Sequence, residues 1–280
     1  MEKPYNDSML CAVIQMTTTT ERGANLEQAA GLLALARRQG AGLAVLPEHF
    51  SYLADMRDMP AAAEPLRGPT VCWLAKKARE HGLWIVGGSF TRKSADSSRT
   101  YNTCPVLDPS GELIAHYDKM HLFDLALPGQ AFWEESRYVK PGRRLVTVQT
   151  PAGLMGLSIC YDLCFPELYR RLRLRGAGVF AAPAAFTHAT GQAHWEVLAR
   201  ALAVENACYV LAAAQVGGHG DKRRSWGQAM IVGPWGEVLA ECGGPGVALA
   251  RVEARGLAQA RRKLDSTLHA RLLPRAWRDR

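Results

Sequence analysis

An α/β fold made of two packed sheets with helices on the outside is predicted by three observations. Apolar runs of strand length recur along almost the whole chain, from Leu10 to Val252. Some are joined by turn-forming tetrapeptides, Asp108-Pro109-Ser110-Gly111 and Thr150-Pro151-Ala152-Gly153, and so read as hairpins. Others are separated by segments whose apolar residues follow helical spacing. Hairpins mixed with helix-linked strands fit two layers of sheet that bury one another and are covered outside by helices.

The elements follow in order. Residues 10–16 form a first apolar strand. In residues 25–38, Leu26, Ala30 and Leu33 share a helical face, and Gly40 is the stop. Residues 43–46 are a strand ended by Pro47-Glu48. Pro69-Thr70 opens a helix that runs to His81 and stops at Gly82, and residues 83–86 are again strand-like. Residues 101–107 and 112–117 flank the first tetrapeptide, with Lys119 just beyond. Residues 129–142 read as an irregular loop holding Glu134 and Glu135. The second hairpin pairs residues 145–149 with 154–159 and leads directly into Cys160. Pro166, tolerated in a first helical turn, opens a helix to Arg175 with Leu168 and Leu172 on one face. Strands are expected at 179–182 and 209–214, a helix at 192–206 and a polar, basic loop at 217–224. Strands at 229–232, 238–241 and 247–252 and a helix at 255–263 complete the chain.

The 280 residues are expected to form a single domain, 1–280, with 255–280 as a basic C-terminal helix and tail. No apolar run reaches 18 residues, so no membrane span is expected. Residues 1–9 are polar and lack the apolar stretch of a signal peptide. Seven scattered cysteines, mostly within apolar runs, point to a reducing cytoplasm rather than a disulfide framework. Cys160 and Cys164 have no second metal-ligand pair nearby, so no zinc site is expected, and neither is a disulfide between two residues so close. The net charge is +8, and residues 255–280 hold eight Arg or Lys against two Asp, or +6 of it. A single aromatic, Trp277, and no nucleic-acid motif accompany that tail. A solvated helix or subunit contact is therefore preferred to nucleic-acid binding.

Candidate chemistry centres on Cys160. It leaves a strand close ahead of a helix, the place where a helix N-terminus favours thiolate. Glu48 and Lys119 also follow strands, and open α/β sheets gather their sites at such ends. The three types are chemically complementary. A carboxylate whose pKa is raised by burial can take the thiol proton, and an ammonium can hold the oxyanion formed when sulfur attacks a carbonyl. A cysteine–histidine arrangement with His121, His188 or His194 is the rival enzyme reading, and a silent binding protein is the non-enzyme one.

The segments LPEHF (46–50), YDKMHLFD (117–124) and GLSICYDLCFPELYR (156–170) resemble the Glu–Lys–Cys motifs of the nitrilase, or carbon–nitrogen hydrolase, superfamily, and the likeness extends from Cys11 to Glu253. The resemblance implies a four-layer αββα sandwich that pairs into a homodimer or higher homo-oligomer. It implies amide hydrolysis without a metal or organic cofactor. By position, Glu48 would be the general base, Lys119 the oxyanion stabiliser and Cys160 the nucleophile. Glu135 would position substrate and Lys119, and the Tyr161 N–H would complete the oxyanion hole. RTYNT (99–103), AHWEVL (193–198), CYVLAAAQ (208–215) and DKRRSWG (221–227) are most similar to the branch that hydrolyses deaminated glutathione, with ω-amidases close. The expected substrate is a small amide bearing a carboxylate, met by Phe186, Thr187, Lys222, Arg223 and Arg224; other amides, N-carbamoyl compounds and nitriles are the alternatives. Two positions depart from the family pattern, which usually has arginine where this chain has Cys164 and Leu202. The lost arginines would pair with carboxylates such as Asp162, Glu167 or Glu205, so another local arrangement is expected here.

Overall fold

Along the first strand, burial alternates between two cores. Cys11 and Val13 pack into one apolar cluster, and Ala12 and Ile14 into another on the opposite face. That period of two places the strand in a sheet buried on both sides. The computed structural model describes residues 8–95, 99–125, 133–220 and 223–272.

In chain order the N-terminal part contains β1 (Ser8–Met16), α1 (Arg22–Arg38), β2 (Leu43–Val45), α2 (Pro69–His81), β3 (Trp84–Val86), β4 (Phe90–Arg92), β5 (Tyr101–Leu107) and β6 (Leu113–Asp118). A small pair, β7 (Asp124–Leu125) and β8 (Trp133–Glu134), precedes α3 (Glu135–Tyr138). Then come β9 (Thr147–Thr150), β10 (Gly153–Leu157), α4 (Pro166–Leu174), β11 (Val179–Ala181), α5 (His188–Asn206) and β12 (Tyr209–Ala212). The chain closes with β13 (Ala214–Gly218), β14 (Arg224–Trp226), β15 (Met230–Val232), β16 (Val238–Glu241), β17 (Gly246–Glu253) and α6 (Ala254–Lys263).

Two mixed sheets result. The first runs β14-β13-β1-β2-β3-β5-β4, with β17 also on β1 and β6 on β5; the second runs β16-β15-β12-β11-β10-β9. Between them, Val13, Leu43, Val45 and Val106 share a core with Met155, Leu157, Phe180 and Leu211. Leu33 of α1 and Leu74 of α2 cover the outer face of the first sheet against Ile14, Ala44 and Ile85. Leu168 and Leu172 of α4 and Trp195 and Leu202 of α5 cover the second. The layers are therefore helix, sheet, sheet, helix, as expected.

The differences from expectation are local. Residues 209–214 are not one strand: β12 lies in the second sheet and β13 in the first, so the chain changes sheet at Ala213. The apolar run is unbroken because both halves are buried, and nothing in its composition marks the crossing. The basic loop expected at 217–224 connects β13 and β14, which pair as a hairpin and take in Gly217, Gly218 and Arg224 at its two ends. Helix α5 starts four residues earlier than 192, capped by the Thr187 side chain, which accepts from the Thr190 N–H. β4 was not expected, and residues 133–138 of the predicted irregular loop are β8 and α3. The helix over 255–263 is present as α6, whereas residues 273–280 of the basic tail lie outside the described residues. No helix among the described residues is long and apolar enough to cross a membrane.

Candidate active site

Glu48 follows β2 after Leu46, whose N–H donates to the Val86 carbonyl at 3.0 Å and so keeps the strand in line with β3. The next residue, His49, sits at φ +56° and donates its N–H to Ser89 Oγ at 3.0 Å. Gly88 lies against this turn so closely that a Cβ there would fall 2.0 Å from the Pro47 carbonyl oxygen. Only glycine lets the β3 exit support the Glu48 turn at that distance. Lys119 leaves β6 with both backbone groups tied, its N–H to the Asn102 carbonyl at 2.9 Å and its carbonyl to the Gly142 N–H at 2.7 Å. Glu135 is the first residue of α3, not a loop residue, and its Oε2 accepts from the Phe123 N–H at 2.7 Å.

Cys160 follows β10, donates its N–H to the Pro183 carbonyl at 2.9 Å and takes φ +51°. This is the sharp strand-to-turn geometry expected. The residues after it, however, form a 3₁₀ turn, Cys160–Cys164, before α4 begins at Pro166. Asp162 fixes this turn. Fully buried, it accepts from the Ile159 N–H at 2.8 Å, the Tyr117 hydroxyl at 2.8 Å and the His121 N–H at 3.0 Å, with His121 Nδ1 at 2.7 Å. Tyr117 and His121 flank Lys119, so one carboxylate fastens the lysine segment to the cysteine segment. In this chain Asp162 is satisfied by a tyrosine, a histidine and backbone, while Glu167 and Glu205 face solvent. Leu202 is a core residue of α5, Cys164 is a partly buried thiol, and all seven cysteines are free.

These segments bring four side chains into one cleft. Glu48, Lys119, Glu135 and Cys160 are each at least nine-tenths buried. Lys119 Nζ donates to Glu48 Oε1 at 3.1 Å and to both Glu135 oxygens, at 3.0 and 2.8 Å. Asn102 Nδ2 donates to the same Glu48 Oε1 at 2.8 Å, and the Cys160 thiol lines the cleft beside the Glu48 carboxylate. The cleft is partly open to solvent. Its lining includes Tyr161, Phe123, Ala185, Phe186, Thr187, Thr190 and Arg223.

The charges differ from the expectation in two ways. Burial pushes the Glu48 carboxyl up, but the neighbouring polar and charged groups, the Lys119 ammonium first among them, outweigh it and set the pKa at about 2. Glu48 therefore rests as the carboxylate and is not raised toward neutrality. Burial and the facing Glu48 charge push the Cys160 thiol well above its ordinary range, so the resting sulfur is protonated rather than favoured as thiolate. Burial opposes the Lys119 charge too, but Glu135 and Glu48 hold the ammonium far above its usual value. Glu135, buried and near a second carboxylate, is raised.

Of the expected substrate contacts, Phe186, Thr187 and Arg223 line the cleft. Arg224 does not: it alternates away on β14 and is exposed. Lys222 lies outside the described residues. His121 is spent on Asp162 and stacks on Phe165 at 3.7 Å, His188 meets the Trp226 ring, and His194 is exposed, so none serves Cys160. The histidine that does line the cleft, His49, was passed over, as was Asn102; their signal was their place inside LPEHF and RTYNT. Among the described residues no group of three or more metal-ligating side chains is present.

Comparisons with known proteins bear on the family and the fold. The family profile described as carbon-nitrogen hydrolase matches residues 10–262. Deaminated glutathione amidase of Mus musculus is 44% identical over 268 residues, which cover 94% of this chain and 83% of that protein. The crystal structure of Saccharomyces cerevisiae Nit3, a member of branch 10 of the nitrilase superfamily, superposes with a TM-score of 0.84 at 28% identity, covering 94% of this chain and 96% of that one. An amidase from Nesterenkonia sp., solved after Michael addition of acrylamide at its active-site cysteine, superposes at 0.77 with 27% identity, covering 93% and 98%.

Proposed function

The chain belongs to the carbon–nitrogen hydrolase family and is a C–N amide hydrolase, and from that premise we propose that it cleaves a small amide bearing a carboxylate through a Cys160 thioester. The carrying observation is the burial of a thiol, a carboxylate that stays ionised and an ammonium fixed by two carboxylates in one cleft. Because the resting sulfur is protonated, Glu48 takes its proton as sulfur attacks the amide carbon. Lys119 and the Tyr161 N–H face the oxygen on which charge develops, and removal of one such donor typically costs about 10²–10³ in rate. Glu135 holds Lys119 in place. The tetrahedral adduct collapses with breakage of the C–N bond, and Glu48 returns the proton to the departing nitrogen. Glu48 then deprotonates a water that attacks the thioester, and the thiol is restored with release of the acid.

The deaminated glutathione amidase of mouse, 44% identical, supports a deaminated-glutathione-like amide; an ω-amide of a keto acid is the neighbouring candidate. Arg223 in the lining suits a carboxylate at the far end of such a molecule. Free cysteines throughout fit a reducing, cytoplasmic setting. We further read the chain as a homodimer, because α5 exposes Val197 and Val204, seven apart on one face, beside exposed Trp235. The test is ammonia release from a panel of amides, with Cys160→Ala as the blank. Release from carboxylated amides and a mass increase confined to Cys160 in trapped enzyme are expected. Turnover that survives Cys160→Ala overturns the reading.

A further inference from the structure

His49 is 4% exposed, lines the cleft and is used by none of the steps above. Its protonation follows from its neighbours. Asn102 Nδ2 must be the nitrogen that faces Glu48, since a carboxylate only accepts. The same Nδ2 lies 3.4 Å from His49 Nε2, which therefore accepts. Burial holds the imidazole neutral, with its pKa lowered to about 3. A neutral ring that accepts at Nε2 carries its proton on Nδ1. That Nδ1 is buried and has no hydrogen-bond partner among the described residues. A buried donor left unmatched is costly, and its natural explanation is a ligand. The residue is also held at φ +56°, a backbone conformation that a histidine seldom adopts, and it shares this trait with Cys160 in the same cleft.

We propose that His49 is a substrate-recognition residue whose Nδ1–H donates to a carboxylate oxygen of the bound amide, on the Glu48 side of the cleft, with Arg223 supplying the positive charge. This rests on the amide-hydrolase reading of the cleft and assigns the acid end of its substrate. A neutral donor beside Glu48 serves that purpose better than a cation, because it recognises an anion without competing for the catalytic carboxylate.

The test measures binding of glutaramate to Cys160→Ala protein by calorimetry, with His49 intact, His49→Gly and His49→Asn. Glycine and asparagine both accept positive φ, and both lose Nε2, so they differ in the amide N–H that asparagine places near Nδ1. Loss of a hydrogen bond to a charged acceptor predicts binding about 10- to 100-fold weaker in His49→Gly, with at least about fivefold regained in His49→Asn. Valeramide, of equal length without the carboxylate, binds all three alike. With Cys160 present, His49→Gly raises KM for glutaramate and leaves kcat within about threefold, since the contact acts on ground and transition states equally. Melting temperatures identify any variant that fails to fold. Undiminished glutaramate binding in a folded His49→Gly protein overturns the proposal, as do equal losses in both variants, an equal loss for valeramide, or a fall in kcat with unchanged binding. Should the wild type release no ammonia while glutaramate binding still depends on His49, the hydrolase mechanism fails and the recognition site stands; hydrolysis with binding independent of His49 gives the reverse.

Discussion

Glu48, not Cys160, carries the resting negative charge of the cleft, and this decides its response to acid. The folded pKa of about 2 lies below the ordinary carboxyl value of 4.5. Stability from that shift is present above pH 4.5 and is lost as pH falls through about 2. The melting-temperature difference between wild type and Glu48→Gln is therefore expected to be constant near neutrality and to change only below pH 4.5, in the direction that weakens the wild type. Over the same neutral range kcat/KM has no acid limb from Glu48, whereas Glu48→Gln loses about 10²–10⁴ in kcat at every pH. Glu135 works in the opposite sense: its pKa is raised, so its contribution is present in acid and fades as pH rises. Lys119 binds both carboxylates. Lys119→Met leaves them buried and facing one another, and a loss of about 3–5 kcal/mol in urea unfolding is expected together with loss of ammonia release.

At the scale of elements, each of the four buried cleft side chains proposed for the chemistry stands beyond the end of a strand, and a separate contact stops the chain from drifting there. The Asp162 carboxylate is the clearest. Tyr117→Phe removes one of its hydrogen bonds without changing shape, and a destabilisation of about 1.5–3 kcal/mol is expected by denaturant titration, with kcat falling further than KM rises. This is also the scale at which the sequence was most and least readable. Glu48 and Cys160 could be picked out because each ends an apolar run, and Lys119 because it stands just past a hairpin strand. Glu135 stood in a polar stretch where nothing distinguished it from Glu134, and only the resemblance to a family marked it. The thiolate expectation failed because proximity to a helix was read without the carboxylate that burial sets beside the sulfur. The Ala213 crossing was invisible because neighbouring strands of two sheets share one hydrophobic interior. Arg224 was grouped with Arg223 by charge, although Arg223 precedes β14 and lines the cleft while Arg224 opens that strand and is exposed.

For the whole molecule, the site exists only where the sheets meet, since Glu48 and Lys119 come from the first and Cys160 from the second. The outer helices leave Val197 and Val204 on the surface, and the dimer reading makes them an interface. Changing both to lysine is expected to halve the mass seen in sedimentation equilibrium, with the fold unchanged by circular dichroism. The order of strands carries one more consequence. β1, the first strand among the described residues, is zipped along its length to β17, the last, from Ser8 opposite Glu253 to Gln15 opposite Gly246. During synthesis the flank of β1 that β17 covers therefore stays open until roughly 240 further residues have been made, the span that separates the paired strands. The first sheet closes only when those two distant segments meet.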